Sequence, residues 1–214
     1  IRLMILTLLQ SKIITMKIFV INGHKYYPFS QGKLNKTLFN KIIELVSPSN
    51  DVKTTVVENG YKLNEEIDKY LWADIIIIQM PINWFSFPGL FKSYIDDVYK
   101  HGSFYGFSEE YGRGGLLKDK KYMYSLTMNS PEEAFNNPEE FYNGKTLDEV
   151  IYAMHKLQEY CGLQKLETFA VYDVVKHPDI PRYLNQLEKH IQTYILNIMD
   201  YFSFADCRRC MGLF

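Results

Sequence analysis

The residues of this chain able to do chemistry gather in a few loops, and none of them forms a nucleophile with its base. The stretch Asn22-Gly23-His24-Lys25-Tyr26-Tyr27-Pro28-Phe29-Ser30-Gln31-Gly32-Lys33-Leu34-Asn35 is long, small and polar, and it leads into a helix start. Main-chain N–H groups at such a start, with the Ser30 hydroxyl and the permissive backbone of Gly32, suit a phosphate or pyrophosphate. It is neither a dinucleotide fingerprint nor a Walker loop, because Gly23 and Gly32 stand far apart and no Gly-Lys-Ser/Thr occurs. An ordinary helix start capped by Ser30 or Asn35 fits the same residues.

Further along, Pro81 and Pro88 bracket Ile82-Asn83-Trp84-Phe85-Ser86-Phe87, a loop that is neither regular strand nor helix. Its aromatic rings read either as a core lid or as planes for a flat ligand. Tyr111 stands in a Gly-rich loop, where its phenol is placed over a ring system or packed on the surface. Thr127-Met128-Asn129-Ser130 ends a strand with hydroxyl and amide groups suited to a heterocycle edge, or simply to a turn. No Gly-x-Ser-x-Gly elbow is present, and His24, His101, His155, His177 and His190 show no metal-ligand spacing, so no metal is expected. Phosphate-friendly loops, aromatic planes and neutral hydrogen-bonding groups suit an organic cofactor that carries the chemistry itself.

These loops need elements to position them. Lys17 to Ile21, Val52 to Val57, Asp74 to Gln79, Lys121 to Met128 and Leu166 to Val171 read as strands, the four successive isoleucines 75–78 implying burial on both faces. Between them run apolar stripes at helical spacing: Leu34 to Val46, Glu65 to Leu71, Pro88 to Val98, Thr146 to Cys161, and a last helix from Pro181 with Ile198 on its inner face. Thr146 and Glu149 have the form of a capping box. Five strands alternating with five helices predict an α/β fold, a doubly wound parallel sheet in three α/β/α layers. Ligands of such sheets sit beyond the carboxyl ends of the strands. The segments of interest are therefore 22–35, 79–88, 102–115, 127–144 and 171–178.

At 214 residues, with no repeat and no flexible linker, the chain reads as one domain over 16–199. Its 24 basic and 25 acidic side chains leave a net charge of −1, which argues against nucleic acid or a polybasic membrane surface as partner. Three cysteines make no disulfide framework and point to a reducing compartment, the cytoplasm. Residues 1–15 read as an extension outside the fold, too short in its apolar run to span a bilayer. Residues 200–214 read as a tail. Its Cys207-Arg208-Arg209-Cys210 has no second pair to complete a metal site.

In combination, Ile21-Asn22-Gly23, Ser30-x-Gly32-x-Leu34-Asn35, Trp72-Ala73-Asp74, Gln79-Met80-Pro81 and Tyr94-Ile95-Asp96-Asp97-Val98 resemble a known family. So do Gly114-Gly115-Leu116, Lys120-Lys121-Tyr122-Met123, Ser125-Leu126-Thr127, Glu133-Ala134-Phe135, Asp173-Val174 and Asp179-x-Pro181-Arg182-Tyr183. The chain is similar over 16–195 to the NAD(P)H:quinone oxidoreductases of the modulator-of-drug-activity-B type. The resemblance implies a flavodoxin-like fold, tightly bound FAD, a homodimer, and two-electron reduction of quinones by NADPH or NADH. By position it implies that Ser30, Gln31, Gly32, Lys33, Leu34, Asn35, Lys36 and Thr37 cradle the pyrophosphate. Pro81, Ile82, Asn83 and Trp84 would line the isoalloxazine, with Tyr111 over the ring face and Thr127, Met128, Asn129 and Ser130 at its edge. One departure bears on the choice of quinone: the family's loop often carries Gly and two tryptophans, where Ile82-Asn83 here precede a single Trp84.

The mechanism the resemblance implies is ping-pong, hydride passing from nicotinamide to flavin N5 and then to a quinone in the same place, with the Tyr111 phenol on the quinone oxygen. An FMN-dependent azo or nitro reductase of the same fold is the alternative enzyme. A flavodoxin-like electron carrier fits less well, since the aromatic loops build more pocket than an exposed flavin edge needs.

Overall fold

Ile75, Ile76, Ile77 and Ile78 are all fully buried, so their strand has a core on each side. The computed structural model describes residues 15–197; the expectations for 1–14, for Ile198 and for the Cys207–Cys210 tail lie outside them. Along the chain run β1 (Lys17–Asn22), α1 (Lys33–Val46), β2 (Asp51–Val56), α2 (Leu63–Trp72), β3 (Ile75–Pro81) and α3 (Gly89–Val98). After them come β4 (Lys121–Thr127), α4 (Leu147–Val150), α5 (Tyr152–Tyr160), β5 (Gln164–Lys165), β6 (Phe169–Val171) and α6 (Ile180–Ile191). No helix among the described residues is long and apolar enough to cross a membrane.

Successive side chains of a strand point to opposite faces, and the core divides accordingly. Ile75 and Ile77 pack with Ile18, Val20 and Met123 under the apolar stripes of α1 (Leu38, Ile42) and α6 (Leu187, Ile191). Ile76 and Ile78 pack with Phe19 and Ile21 against Tyr70 of α2, Phe91 and Tyr94 of α3, and Met154 of α5. Each buried isoleucine contributes about 1.5–3 kcal/mol of apolar transfer. The result is the three-layer sandwich expected from the strand and helix rhythm.

All strand pairs are parallel, in the order β2-β1-β3-β4 with β5 and β6 both on the far side of β4. The fifth strand was expected unbroken from Leu166 to Val171, and here the structure differs. It begins at Gln164 and is interrupted over 166–168. At the gap the Leu166 N–H still reaches the Tyr122 carbonyl at 2.8 Å. The Thr168 hydroxyl, however, donates to Asp148 Oδ1 at 2.8 Å. Asp148 also takes His155 Nε2 at 3.0 Å and the Lys165 ammonium. Burial acts to raise its carboxyl pKa, but these three partners outweigh it and hold Asp148 well below the usual carboxylate range. The helix expected from Thr146 is likewise two pieces, turning at Ile151 (φ −98°, ψ 24°). Its start has the capping box expected of Thr146 and Glu149, with bonds of 3.2 and 2.7 Å.

Asp148 thus joins α4, α5 and the broken edge strand. Asp148→Ala is expected to lower the unfolding free energy near neutral pH by about 2 kcal/mol, the order of its charge-assisted hydrogen bonds. Because the folded carboxyl titrates below the unfolded one, its contribution is present above the ordinary aspartate value and lost as pH falls. Urea unfolding across pH should show the gap between variant and parent beginning to close below about pH 4.

Candidate functional site

Strand order reverses between β1 and β3, which opens a crevice at their carboxyl ends. Two adjoining clefts occupy it. One, of about 460 Å³, is walled by 28–35, Pro81–Asn83, Thr127–Asn129 and Val174–Val175. The other, of about 1110 Å³, shares Phe29, Ser30, Pro81, Ile82, Asn83 and Met128 with it. It extends past Trp84, Phe85 and Phe87 to Tyr142. Loops from four strands, far apart in sequence, therefore form one slot.

The floor of the first cleft is the start of α1, and neither Ser30 nor Asn35 caps it. The capping position is Gly32, left-handed at φ 72°, with no side-chain hydrogen bond. Ser30 is tied instead into a turn with Tyr27, through main-chain bonds of 3.0 and 2.9 Å. Asn35 points inward. Lys36 donates the first intrahelical bond, to the Gly32 carbonyl at 2.8 Å. The preceding N–H groups are thus left without a side-chain cap beside the cleft, where the positive end of the helix favours an anion.

His24 was missed by sequence reasoning, which saw only five scattered histidines. It lies directly after β1, is 7% exposed, and lines the wider cleft. Its imidazole lies so close to Gly32 that a Cβ there would fall 2.5 Å from Nδ1. The ring has no hydrogen-bond partner among the described residues. Burial, against an opposing pull from Glu58, holds its pKa below the usual histidine value. That direction favours the neutral imidazole, which carries one donor and one acceptor. The available signal was its place at the end of a strand buried on both faces.

The aromatic loop is a tight turn. Asn83 and Ser86 exchange main-chain bonds of 3.0 and 3.1 Å, and the central residues Trp84 and Phe85 have φ of 50° and 63°. Turns of that hand favour Asn-Gly, and each bulky residue held there costs on the order of 1–2 kcal/mol. Trp84 is 91% exposed, so burial does not compensate it. Phe85 stacks on Phe141, 5.9 Å between ring centres, and the Tyr142 phenol meets the Ser130 hydroxyl at 2.9 Å. Tyr142 is a wall residue of the wider cleft that sequence analysis reached only as part of the segment 127–144.

Of the residues nominated from sequence, Ser30, Gln31, Gly32, Lys33, Leu34, Asn35, Pro81, Ile82, Asn83, Trp84, Thr127, Met128, Asn129 and Ser130 line this crevice. Lys36 and Thr37 do not: they lie in the next turn of α1, where the Thr37 hydroxyl donates back to the Lys33 carbonyl at 2.9 Å. Tyr111 and the whole of 102–115 lie elsewhere. That segment follows a helix, α3, and leads to the start of β4, so it belongs to the amino rim of the sheet. It folds back as an arm, Gly106 N–H to Gly114 carbonyl at 2.8 Å. A Cβ on Gly114 would meet the Gly106 carbonyl oxygen at 2.2 Å, and one on Gly115 the Gly162 nitrogen at 2.3 Å. The arm holds Tyr111 over α5, 6.3 Å from the Tyr160 ring and 93% exposed.

The model of the flavodoxin-like fold matches residues 16–195, nearly all of the described chain. The chain belongs to the flavodoxin-like fold family. It is 41% identical over 188 residues to the NADPH:quinone oxidoreductase MdaB of Haemophilus influenzae, covering 83% of this chain and 98% of that one. Among solved structures, an NADPH-quinone reductase from P. pentosaceus matches with a TM-score of 0.61 at 20% identity. The match covers 81% of this chain and 96% of that one. The general stress protein 14 of Treponema denticola, in complex with FMN, matches with a TM-score of 0.64 at 16% identity, covering 86% and 98%.

At the start of α1, Gly32 is a position where a side chain is poorly tolerated. Gly32→Ala adds both the left-handed strain and the clash with His24. It should lower the unfolding free energy by about 1–2 kcal/mol, read as a lower urea midpoint.

Proposed function

We propose that this chain is an NAD(P)H:quinone oxidoreductase that holds FAD tightly in the crevice between β1, β3 and β4. The observation that carries this reading is the union, in one slot, of an uncapped helix start with an aromatic turn. The likeness to MdaB over nearly the full length of both chains supports it. The residues fit a flavin by their chemistry. The N–H groups after Gly32, the Ser30 hydroxyl and the His24 imidazole suit the diphosphate. Pro81 to Trp84 suit the apolar ring, and Thr127 to Ser130 its hydrogen-bonding edge. FAD rather than FMN is favoured because the narrower cleft along 28–35 adjoins the ring slot and gives room for an adenylate.

A bound flavin supplies reversible acceptance of two electrons. The chain supplies the rest: a slot that admits NADPH, or NADH, and a quinone in turn, giving ping-pong kinetics. Orienting two flat partners in that slot is worth several kcal/mol of barrier. Purified protein should be yellow and release FAD on denaturation, identified by chromatography. A colourless protein that takes up no flavin overturns the reading, and release of FMN overturns the FAD part alone.

Tyr111 enters this function through a second copy. In its own chain it stands at the opposite rim, while the slot ends in exposed aromatics open to a neighbour. A homodimer places one copy's arm over the other's crevice, with the phenol on the quinone oxygen as negative charge develops there. Tyr111→Phe should then lower kcat/KM for quinone about tenfold, the order of one hydrogen bond to a charged group. Co-expression with Gly32→Ala should recover activity beyond the sum of the two variants, since one mixed site is intact. Activity that never exceeds the sum places Tyr111 in its own chain or outside the site.

A further inference from the structure

Behind the crevice lies a polar group that sequence and family likeness leave without a role. Gln79 and Ser125 are fully buried two rungs before the ends of β3 and β4, paired with each other across the ladder. Neither lines a cleft. Ser125 Oγ lies 2.6 Å from Gln79 Oε1, Gln79 Nε2 lies 2.8 Å from Asn35 Oδ1, and Asn35 Nδ2 lies 3.1 Å from Thr127 Oγ1. Asn35 and Thr127 are the two that face the ligand slot.

Amide groups in a row couple their orientations. If Gln79 presents its oxygen to Ser125, its nitrogen must face Asn35, whose oxygen accepts and whose nitrogen then faces Thr127. Turning Gln79 over reverses every bond in the line. The first distance decides between the two: 2.6 Å suits O–H···O and is too short for N–H···O. Ser125 therefore donates. The Thr127 oxygen accepts from Asn35, and its own proton is left only a long 3.3 Å approach to Asn35 Oδ1. In this arrangement the Thr127 proton is held only by that long inward bond, and it can turn to the slot as a donor. In the reversed arrangement the Thr127 proton is committed inward, and the slot meets a lone pair.

We propose that Ser125 and Gln79 are positioning residues that set the donor polarity of the flavin slot, Ser125 through Gln79 and Asn35 to Thr127. The proposal rests on the flavin reading above. The ligand it selects presents acceptor atoms, carbonyl oxygen or unprotonated ring nitrogen, at the Thr127 edge. That preference discriminates between redox states of the ring, because reduction changes which ring atoms carry protons.

The test uses Ser125→Ala, which alters no cleft surface, and Gln79→Met, which keeps volume and removes the link. Flavin affinity is measured by fluorescence quenching on stripped protein, the two-electron midpoint potential on reloaded protein, and the thermal midpoint without flavin. Each variant is expected to bind oxidised flavin about tenfold more weakly. If that loss falls on one redox state alone, the potential moves by about 30 mV. Ser125→Cys, with its weak S–H donor, should fall between parent and Ser125→Ala. The proposal is overturned if parent and variants share the same affinity and potential. It is also overturned if affinity falls only in step with the thermal midpoint, which marks general loosening. A parent that binds no flavin refutes the cofactor reading itself, and that result is distinct from either.

Discussion

A strand with a core on both faces has no place for a polar side chain unless another polar group meets it, and β3 runs apolar for four residues and turns polar at the fifth. There Gln79 is fully buried, and its amide is met on both sides, by Ser125 on β4 and Asn35 on α1. An unmet amide at that depth would cost several kcal/mol. The start of α1 is therefore fastened to the middle of the sheet by hydrogen bonding as well as by packing. Asn35, which by type belongs at a cap, is drawn inside, and Gly32 takes the left-handed corner in its place. The open N–H groups beside the crevice follow from that displacement. Core and site are one arrangement here.

What could be read from the residues divides along physical lines. The strands with strong apolar runs, the helices with clean stripes and the position of the crevice follow from burial and periodicity, which are local properties. Most of the residues nominated at the strand ends line that crevice for the same reason. The exceptions each turn on something nonlocal. The break at 166–168 depends on Asp148, about twenty residues earlier. The absence of a side-chain cap depends on the partners of Asn35 in β3 and β4. The segment 102–115 looked like a strand-end loop by composition, yet it follows a helix, and connectivity sends it to the other rim. His24 was passed over because an isolated histidine has no pattern around it. Its meaning comes from contact with Gly32.

The two rims of the sheet have different building principles. At the carboxyl rim, loops from separate strands converge and leave main-chain groups and aromatic rings facing a shared space. At the amino rim, glycines let backbones approach so closely that no side chain fits between 106 and 114 or between 115 and 162. That packing fastens the base of the arm while leaving its aromatic tip exposed. An anchored base with exposed rings at its tip is suited to reaching another molecule, since little order is lost when the tip is covered.

The turn at Trp84 and Phe85 carries a further consequence. Two large side chains occupy backbone angles that small ones adopt freely, and one of them is almost wholly in solvent. Phe85 recovers part of this cost against Phe141 and Tyr142, while no ring contact of Trp84 among the described residues does, so the turn lies away from its own thermal optimum. Variants selected in the laboratory only for heat resistance will drift toward Asn and Gly there. Such a lineage becomes sturdier as it strips the crevice of its aromatic wall, and its melting curve improves as the slot empties of rings.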